Sequence, residues 1–242
     1  MTGVPNREPD DHEPVWRTLP WGTRRGVKTQ AASAAPWVPA GRSLARTRSA
    51  AADCQGCELW RDTTQTVFSS GPRNAVMMLV GEQPGDVEDR EGDVFVGPAG
   101  RILDEALERA GIDRASIYLT NAVKHFRHEN RGKRRIHQKP SVGHIIACQP
   151  WLVAELAIVR PDVVVALGAV AARSVVGRPV TINDDRGRWL RDEPAAITPD
   201  ADLMVTSHPS AVLRLRGLDD PALARRELNA LVRDLRRAAR GL

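Results

Sequence analysis

The stretch VMMLVGEQPGD, residues 76–86, decides the fold prediction for this chain. It begins with five consecutive apolar residues that end at Gly81, a pattern typical of a strand buried on both faces. Two glycines and a proline then indicate a tight turn whose backbone N–H groups can approach a ligand. Glu82 and Asp86 add carboxylates to the same turn. The stretch therefore predicts a buried strand that ends in a binding loop.

Predicted strands and helices alternate along the rest of the chain. Short apolar runs predict strands at 76–80, 117–120, 162–167 and 203–206. Amphipathic patterns predict helices at 99–110, 143–159, 169–176 and 221–240. Strands that are separated by helices pair in parallel, with helices on both faces of the sheet. We therefore predict an α/β fold, a three-layer α/β/α sandwich with a central four-stranded parallel sheet, whose ligand binds beyond the carboxyl ends of the strands.

The first 50 residues differ in composition from the rest of the chain. They hold six of the 17 prolines and eight basic against four acidic residues, without a periodic apolar pattern. This composition predicts a disordered, basic, Pro-rich tail at 1–50 and a folded domain at 51–242. The chain starts with polar residues and has no apolar run of the roughly 18–20 residues that a membrane span needs. We expect a cytoplasmic, nucleoid-associated bacterial monomer without a membrane partner.

A second concentration of positive charge lies at 124–139, where seven basic residues accompany one acidic residue. It contains the run KRRIH at 133–137. Such a local charge is expected where a protein contacts nucleic-acid phosphates. The run ends on His137, a residue type that is neutral, nucleophilic and able to carry protons near pH 7. Charge alone fits a solvated surface loop equally well.

Several motifs together resemble the family 4 uracil-DNA glycosylases. The first block consists of GEQPGD at 81–86, Glu88-Asp89, Gly92 and FVGPAG at 95–100. The later blocks are TNAVK at 120–124, LGA at 167–169 and HPSAVLR at 208–214. The resemblance runs in order from about Cys54 to the C-terminus. It implies a uracil-DNA glycosylase-like fold and a uracil-containing DNA substrate.

Two features are similar to UdgX, a group that resembles family 4 and forms a covalent complex with uracil-containing DNA. One is Gln83 in the first motif, and the other is the inserted basic loop that ends in KRRIH. Ala211 departs from the UdgX pattern, which has a second serine there. The loop interior at 127–132 is specific to this chain.

The three cysteines of the chain are Cys54, Cys57 and Cys148. An odd number without secretory context favours a reducing compartment over a disulfide framework. From the residues alone, Cys54 and Cys57 fit a structural zinc site better than a thioredoxin-like pair, because no strand precedes them. The family resemblance implies instead a [4Fe–4S] cluster whose ligands are Cys54, Cys57, His125 and Cys148. His125 then replaces a cysteine of family 4, as in UdgX.

The resemblance also implies roles for residues at the strand ends. A glycosylase must take the base out of the stack, and Phe95 is expected to stack on the flipped uracil. The amide of Asn121 can match the N3–H and O4 edge of uracil. His208 is expected to donate to uracil O2 as negative charge grows on the base. Glu82 is expected to stabilise the cationic sugar.

His137 is the predicted nucleophile, which attacks C1′ in place of water, with Glu82 or Gln83 orienting its ring and accepting the proton from its other nitrogen. Lys133, Arg134 and Arg135 are expected to hold the loop over the sugar by phosphate contacts or internal ion pairs. The remaining candidate contacts to uracil or DNA are Gly81, Gly85, Asp86, Ser210 and Arg214.

The sequence thus predicts a protein that excises uracil from DNA, preferably single-stranded, and forms a covalent His–C1′ adduct in a single turnover. Three alternatives remain open from the sequence. The chain could be a turnover glycosylase that uses water, a non-catalytic iron–sulfur DNA-binding protein, or a zinc-stabilised interaction module.

Overall fold

The computed structural model describes residues 32–190, 193, 196–198, 200–218 and 220–242. The helices of this part of the chain are α1 (Leu44–Ala51), α2 (Asp86–Glu91), α3 (Pro98–Ala110), α4 (Val142–Val159), α5 (Gly168–Val176), α6 (Ile182–Asp185), α7 (Ser210–Gly217) and α8 (Pro221–Ala239). Its strands are β1 (Ser69–Ser70), β2 (Met77–Gly81), β3 (Tyr118–Asn121), β4 (His128–Arg131), β5 (Arg134–His137), β6 (Val163–Leu167), β7 (Trp189–Leu190) and β8 (Asp202–Thr206). Short 3-10 helices occur at Ala35–Trp37, Glu58–Arg61 and Arg114–Ser116.

The central sheet confirms the predicted α/β architecture. Its strand order is β1-β3-β2-β6-β8-β7, and the four inner strands pair in parallel. The two-residue strands β1 and β7 add antiparallel edges that the sequence did not predict. Strands of two residues carry too little periodicity to be recognised from sequence.

The sheet separates two apolar layers. Along β2, Met78 and Val80 pack into one layer, whereas Met77 and Leu79 pack into the other. This division follows from the alternation of side chains along a strand. Helices α1, α4 and α5 contribute to the first layer, and α3 and α8 contribute to the second. The result is the predicted three-layer sandwich.

The folded part of the chain begins before the predicted boundary at residue 51. The amide of Ala34 donates to the carbonyl of Ala147 at 2.7 Å, and Ala34 is buried. A Cβ on Gly56 would lie 2.7 Å from the backbone of Ala34, so the two segments touch directly. Residues 32–50 therefore belong to the fold, and the predicted tail 1–50 is too long. Small residues that pack through their backbone give no periodic signal, and residues 1–31 lie outside the described part.

Helix α4 is the one described helix that is long and apolar enough to cross a membrane by composition. The fold buries 61% of it, as expected for a core helix, so its composition is weak grounds for a membrane span.

The predicted basic loop is an antiparallel hairpin formed by β4 and β5. A two-residue turn, Gly132 and Lys133, joins the strands, and Gly132 has φ of 58°. Glycine at the first turn position is typical of a type II′ hairpin. Because side chains alternate along β5, Arg135 and His137 share one side of the strand, whereas Arg134 projects into solvent.

Candidate functional site

The carboxyl ends of the parallel strands bring three of the predicted base-binding residues together. A Cβ on Gly81 would lie 2.2 Å from Asn121 Oδ1 and 2.5 Å from Phe95 Cζ, so only glycine fits there. The rings of Phe95 and His208 lie 6.3 Å apart between centroids, with planes inclined by 31°. The structure thus places an aromatic face, an amide and an imidazole around one space at the sheet edge.

The loop that carries Phe95 is held in an unusual conformation. Phe95 has φ of 55°, which is uncommon for a residue with a side chain. A Cβ on Gly100 would lie 1.8 Å from the carbonyl oxygen of Phe95, so α3 approaches this loop closely. Glu88 accepts hydrogen bonds from the amides of Gly85 and Gly97, at 3.2 and 2.9 Å. Gly85 was predicted to contact the ligand, but its amide already donates to Glu88 and is not free to do so.

His208 is neutral and oriented by its neighbours. The amide of Ser210 donates to Nδ1 of His208 at 3.1 Å, which leaves the ring proton on Nε2. Burial and the positive charge of Arg214 lower the pKa of His208 to about 4. Arg214 Nη1 also donates to Ser210 Oγ at 3.0 Å, so Ser210 and Arg214 hold the Nδ1 side of the His208 ring. His208 therefore presents an uncharged Nε2–H donor.

His137 lies at the end of β5, next to the predicted carboxylate. Its Nε2 lies 3.6 Å from Glu82 Oε1, and its side chain is half exposed. Burial and the positive charge of Arg214 lower the pKa of His137, while a hydrogen bond to its own backbone carbonyl partly offsets this. Burial raises the pKa of Glu82, although Lys139 and Arg214 counteract this.

Gln83 joins the two ends of the hairpin. The prediction that it orients the ring of His137 is not supported, because its described hydrogen bonds go to the hairpin backbone. Its Oε1 accepts from the amide of Arg127 at 3.2 Å. Its Nε2 donates to the carbonyls of Arg127 and Gln138, both at 3.1 Å. The side-chain amide is therefore a clamp at the hairpin base.

Arg135 makes internal ion pairs, one of the two predicted alternatives. Its Nε donates to Asp86 Oδ1 and its Nη1 to Asp89 Oδ2, both at 2.5 Å. The guanidinium also lies over the ring of Phe126, with Cζ 5.4 Å from the centroid. Asp86 is thus a partner of Arg135 and of Arg90, and its predicted contact with DNA is not favoured by this geometry. Arg135 fastens the middle of β5 to α2.

The tip of the hairpin carries exposed cations. Lys133 and Arg134 are solvent-exposed, as a phosphate contact requires. Lys124 belongs to the same basic stretch but is fully buried, and its Nζ pairs with Glu155 at 2.5 Å. The positive charge available to a ligand is therefore smaller than the sequence count.

The three cysteines are buried within one apolar cluster. Burial, with a smaller contribution from the nearby thiols of Cys57 and Cys54, raises the pKa of Cys148 to about 12, although the charge and the amide of Lys124 lower it. The amide of Lys124 donates to Cys148 Sγ at 3.3 Å, and Trp151 Nε1 donates to Cys54 Sγ at 3.2 Å. N–H groups directed at buried sulfurs stabilise thiolates, so these positions suit metal-bound sulfur.

His125, the fourth ligand implied by the resemblance, is also buried. Its Nε2 lies 2.9 Å from Thr66 Oγ1, and burial lowers its pKa to about 4, so the ring is neutral. Among the residues that the structure describes, no three His, Cys, Asp or Glu side chains converge where one metal ion could bind. A single zinc ion needs its ligands within about 2.0–2.3 Å of one point. Thiols and a neutral imidazole are ligand types that both zinc ions and iron–sulfur clusters accept.

Sequence reasoning missed the supporting roles of Glu88, Asp89 and Phe126. Glu88 and Asp89 were noticed only as matches to a family pattern, and Phe126 not at all. Phe126 is buried under the hairpin, with its ring 4.9 Å from His128 and 6.1 Å from His137 between centroids. An isolated phenylalanine in a basic stretch carries no signal of such packing.

Comparison with known proteins places the chain in a family. Residues 68–236 match the family model of the uracil DNA glycosylase superfamily. A Type-4 uracil-DNA glycosylase of Pyrobaculum aerophilum is 34% identical over 172 residues, which cover 68% of this chain and 83% of that protein. A Type-4 uracil-DNA glycosylase of Thermotoga maritima is 36% identical over 167 residues, covering 67% and 79% of the two chains. The matched region contains every strand of the central sheet and the strand ends that form the site, and the chain accordingly belongs to the uracil-DNA glycosylase superfamily.

Proposed function

We propose that this protein excises uracil from DNA and that His137 captures C1′ of the resulting sugar in a covalent adduct. The excision half follows from family membership and from the convergence of Phe95, Asn121 and His208. The capture half rests on one observation above all: Nε2 of His137 lies 3.6 Å from Glu82 Oε1 at the edge of that pocket.

Excision begins with the base outside the stack, where Phe95 offers a stacking face and Asn121 offers a donor and an acceptor to the uracil edge. The bond between C1′ and N1 breaks, and its electron pair leaves with uracil. The Nε2–H of His208 stabilises the negative charge at O2, a contribution that strengthens as the bond breaks. Single-stranded DNA is the preferred substrate, because no base pair has to be opened.

Capture uses the cationic sugar that excision leaves. The Glu82 carboxylate attracts the positive charge at C1′, and the lone pair on His137 Nε2 forms the new bond. The ring then carries a positive charge and loses the Nδ1 proton to solvent, whereas the uracil anion takes a proton from water. The product is a neutral alkylimidazole, which is a poor leaving group, so one protein reacts with one lesion.

The hairpin brings His137 to the sugar. Gln83 holds its two ends together, and the ion pairs of Arg135 hold its middle against α2. Lys133 and Arg134 at the exposed tip then contact DNA phosphates. These contacts fix the position of the protein along the DNA without reading the base sequence.

The decisive experiment mixes the protein with a uracil-containing single-stranded oligonucleotide and separates the products on a denaturing gel. We expect a shifted band with the native protein and none with His137→Ala. His128→Ala is the matched control, because His128 pairs with His137 across the hairpin and contacts the same Phe126 ring. It should retain the band.

Other outcomes separate the alternatives. Free abasic product with many turnovers would establish a glycosylase that uses water. Reversible, salt-sensitive binding without preference for uracil would establish a DNA-binding protein. A band that survives His137→Ala would assign the nucleophile elsewhere.

We further infer that Cys54, Cys57, Cys148 and His125 hold a [4Fe–4S] cluster. When bound, the cluster would link the start of the fold, through the thiolates of Cys54 and Cys57, to Cys148 on α4 and to the imidazole of His125 after β3. The purified protein should be brown and contain iron, and Cys57→Ser should lower the iron content and the visible absorbance. A colourless protein that contains zinc would contradict this inference.

A further inference from the structure

The strand that leads to His208 is tied to helix α8 by a network of ion pairs. Strand β8 ends at Thr206, two residues before His208, and Thr206 Oγ1 donates to Asp234 Oδ2 at 2.6 Å. Arg186 Nε donates to the same carboxylate oxygen at 2.9 Å. Arg186 Nη1 donates to both carboxylate oxygens of Glu227, at 2.7 and 2.9 Å. One guanidinium therefore connects two carboxylates of α8 with the end of the strand.

The backbone beside Arg186 makes the same connection. The amide of Gly187 donates to the carbonyl of Val205 at 2.8 Å, and Arg237 Nη1 donates to the carbonyl of Gly187 at 2.9 Å. Gly187 has φ of 68°, and a Cβ there would lie 2.7 Å from Asp234 Oδ1. The segment is thus pressed against both β8 and α8.

His208 itself is confined from the other side. A Cβ on Gly168 would lie 3.0 Å from the Cβ of His208, so α5 touches the histidine at its base. The position of the ring depends on this contact and on the end of β8. A misplacement of about 1 Å at a reacting centre can cost roughly 10²-fold in rate.

We propose that Arg186 is a positioning residue for His208, which it holds at the uracil O2 through Asp234, Thr206 and the end of β8. The proposal rests on the proposed function. The backbone of Arg186 pairs with Val205 of β8 and its side chain pairs with carboxylates of α8, so it acts through the histidine and not on the substrate.

The test compares single-turnover release of uracil and of 5-fluorouracil from otherwise identical single-stranded oligonucleotides. The fluorinated base leaves as a more stable anion, so its release depends less on the donor at O2. We expect Arg186→Met to slow uracil release about tenfold, a part of the roughly 10²–10³ that removal of a whole oxyanion donor costs. Release of 5-fluorouracil should slow less than about threefold, and His208→Gln should show the same selectivity, more strongly.

The matched control is Arg178→Met. Arg178 also pairs with a carboxylate, Glu193, and is more exposed than Arg186, but none of its described hydrogen bonds reaches β8. It should leave both rates unchanged. The double variant Arg186→Met with His208→Gln should be within about twofold of His208→Gln alone, because residues that act through one another are not additive.

Equal slowing of both bases, or additive effects in the double variant, would overturn the proposal. If Arg186→Met does not fold, Thr206→Val removes one hydrogen bond of the network and keeps all its charges. Thr206→Val should slow uracil release a few-fold and 5-fluorouracil release less. If this selectivity is absent, the proposal is also overturned. A native protein that releases neither base would refute the proposed function itself.

Discussion

The base-binding pocket and the β4–β5 hairpin meet at Glu82 but are held in place by different forces. Phe95 and Asn121 are buried at the end of the central sheet, where Phe95 packs in the second apolar layer and both side chains lie against Gly81. The hairpin is largely exposed and is attached through Gln83, Arg135 and the ring of Phe126. The proposed capture by His137 would therefore depend on a few polar contacts, and we expect that it can be lost while excision continues.

The largest expected separation of the two regions comes from Arg135→Met. The change leaves Asp89, which is fully buried, without its charged partner, a loss of about 3–5 kcal/mol in comparable buried pairs. We expect adduct formation to slow about 10²-fold, whereas uracil release slows much less. The two rates are measured on the same oligonucleotide, by denaturing gel and by chromatography of the free base.

Arg134→Met provides the control for this prediction. Arg134 precedes Arg135 on the same strand but is exposed. At saturating protein, where loss of a phosphate contact no longer limits binding, its replacement should leave the rate of adduct formation nearly unchanged. Equal loss of excision and capture in Arg135→Met would show that hairpin and pocket form one unit.

Acid should suppress capture through His137. Burial and the positive charge of Arg214 lower the pKa of His137 from its ordinary value, which favours the neutral ring that the proposed attack requires. The adduct rate should be constant above that pKa and fall about tenfold per pH unit below it. His128→Ala should leave this profile unchanged. A rate that rises toward low pH would contradict the assignment of a neutral nucleophile.

A smaller effect is expected from Gln83→Leu, which removes the hydrogen bonds at the hairpin base. Each such bond contributes about 0.5–1.5 kcal/mol. We expect capture to slow about tenfold and amide exchange of Arg127 and Gln138 to accelerate. Gln138→Ala, which removes only a side chain bonded to Glu129, is the control and should change neither. Unchanged exchange in Gln83→Leu would show that other contacts close the hairpin.

The smallest effect is expected from Lys133→Ala at the tip of the hairpin. Loss of one phosphate contact should weaken binding a few-fold for every sequence and reduce the salt dependence by about one counterion. Fluorescence anisotropy at several salt concentrations measures this slope. The pocket should not respond, so uracil release at saturating protein stays constant.

Much of the fold could be predicted because the central strands are continuous apolar runs. Residues 76–80 predicted β2 to within one residue, and Gly111 ends α3 in the left-handed conformation, with φ of 76°. The edge strands and the segment at 32–50 could not be predicted, because their contacts are made by backbone and small side chains. At the site, the motifs indicated Phe95, Asn121 and His208, but not which partner each polar neighbour would choose. Gln83 illustrates this, since an amide can bond equally well to a histidine ring or to a hairpin backbone.

The amino-acid sequence was sufficient to predict the parallel sheet, the order of its strands along the chain and the polar residues at the strand ends. These follow from periodicity and from local turn chemistry, which depend on near neighbours in the chain. Only the tertiary structure decided that Arg135 pairs with Asp86 and Asp89, that Lys124 is buried against Glu155, and that Arg186 supports the strand before His208. Charged side chains choose partners by distance in space, and a charge count along the chain cannot distinguish a buried ion pair from a cation that is free to meet DNA.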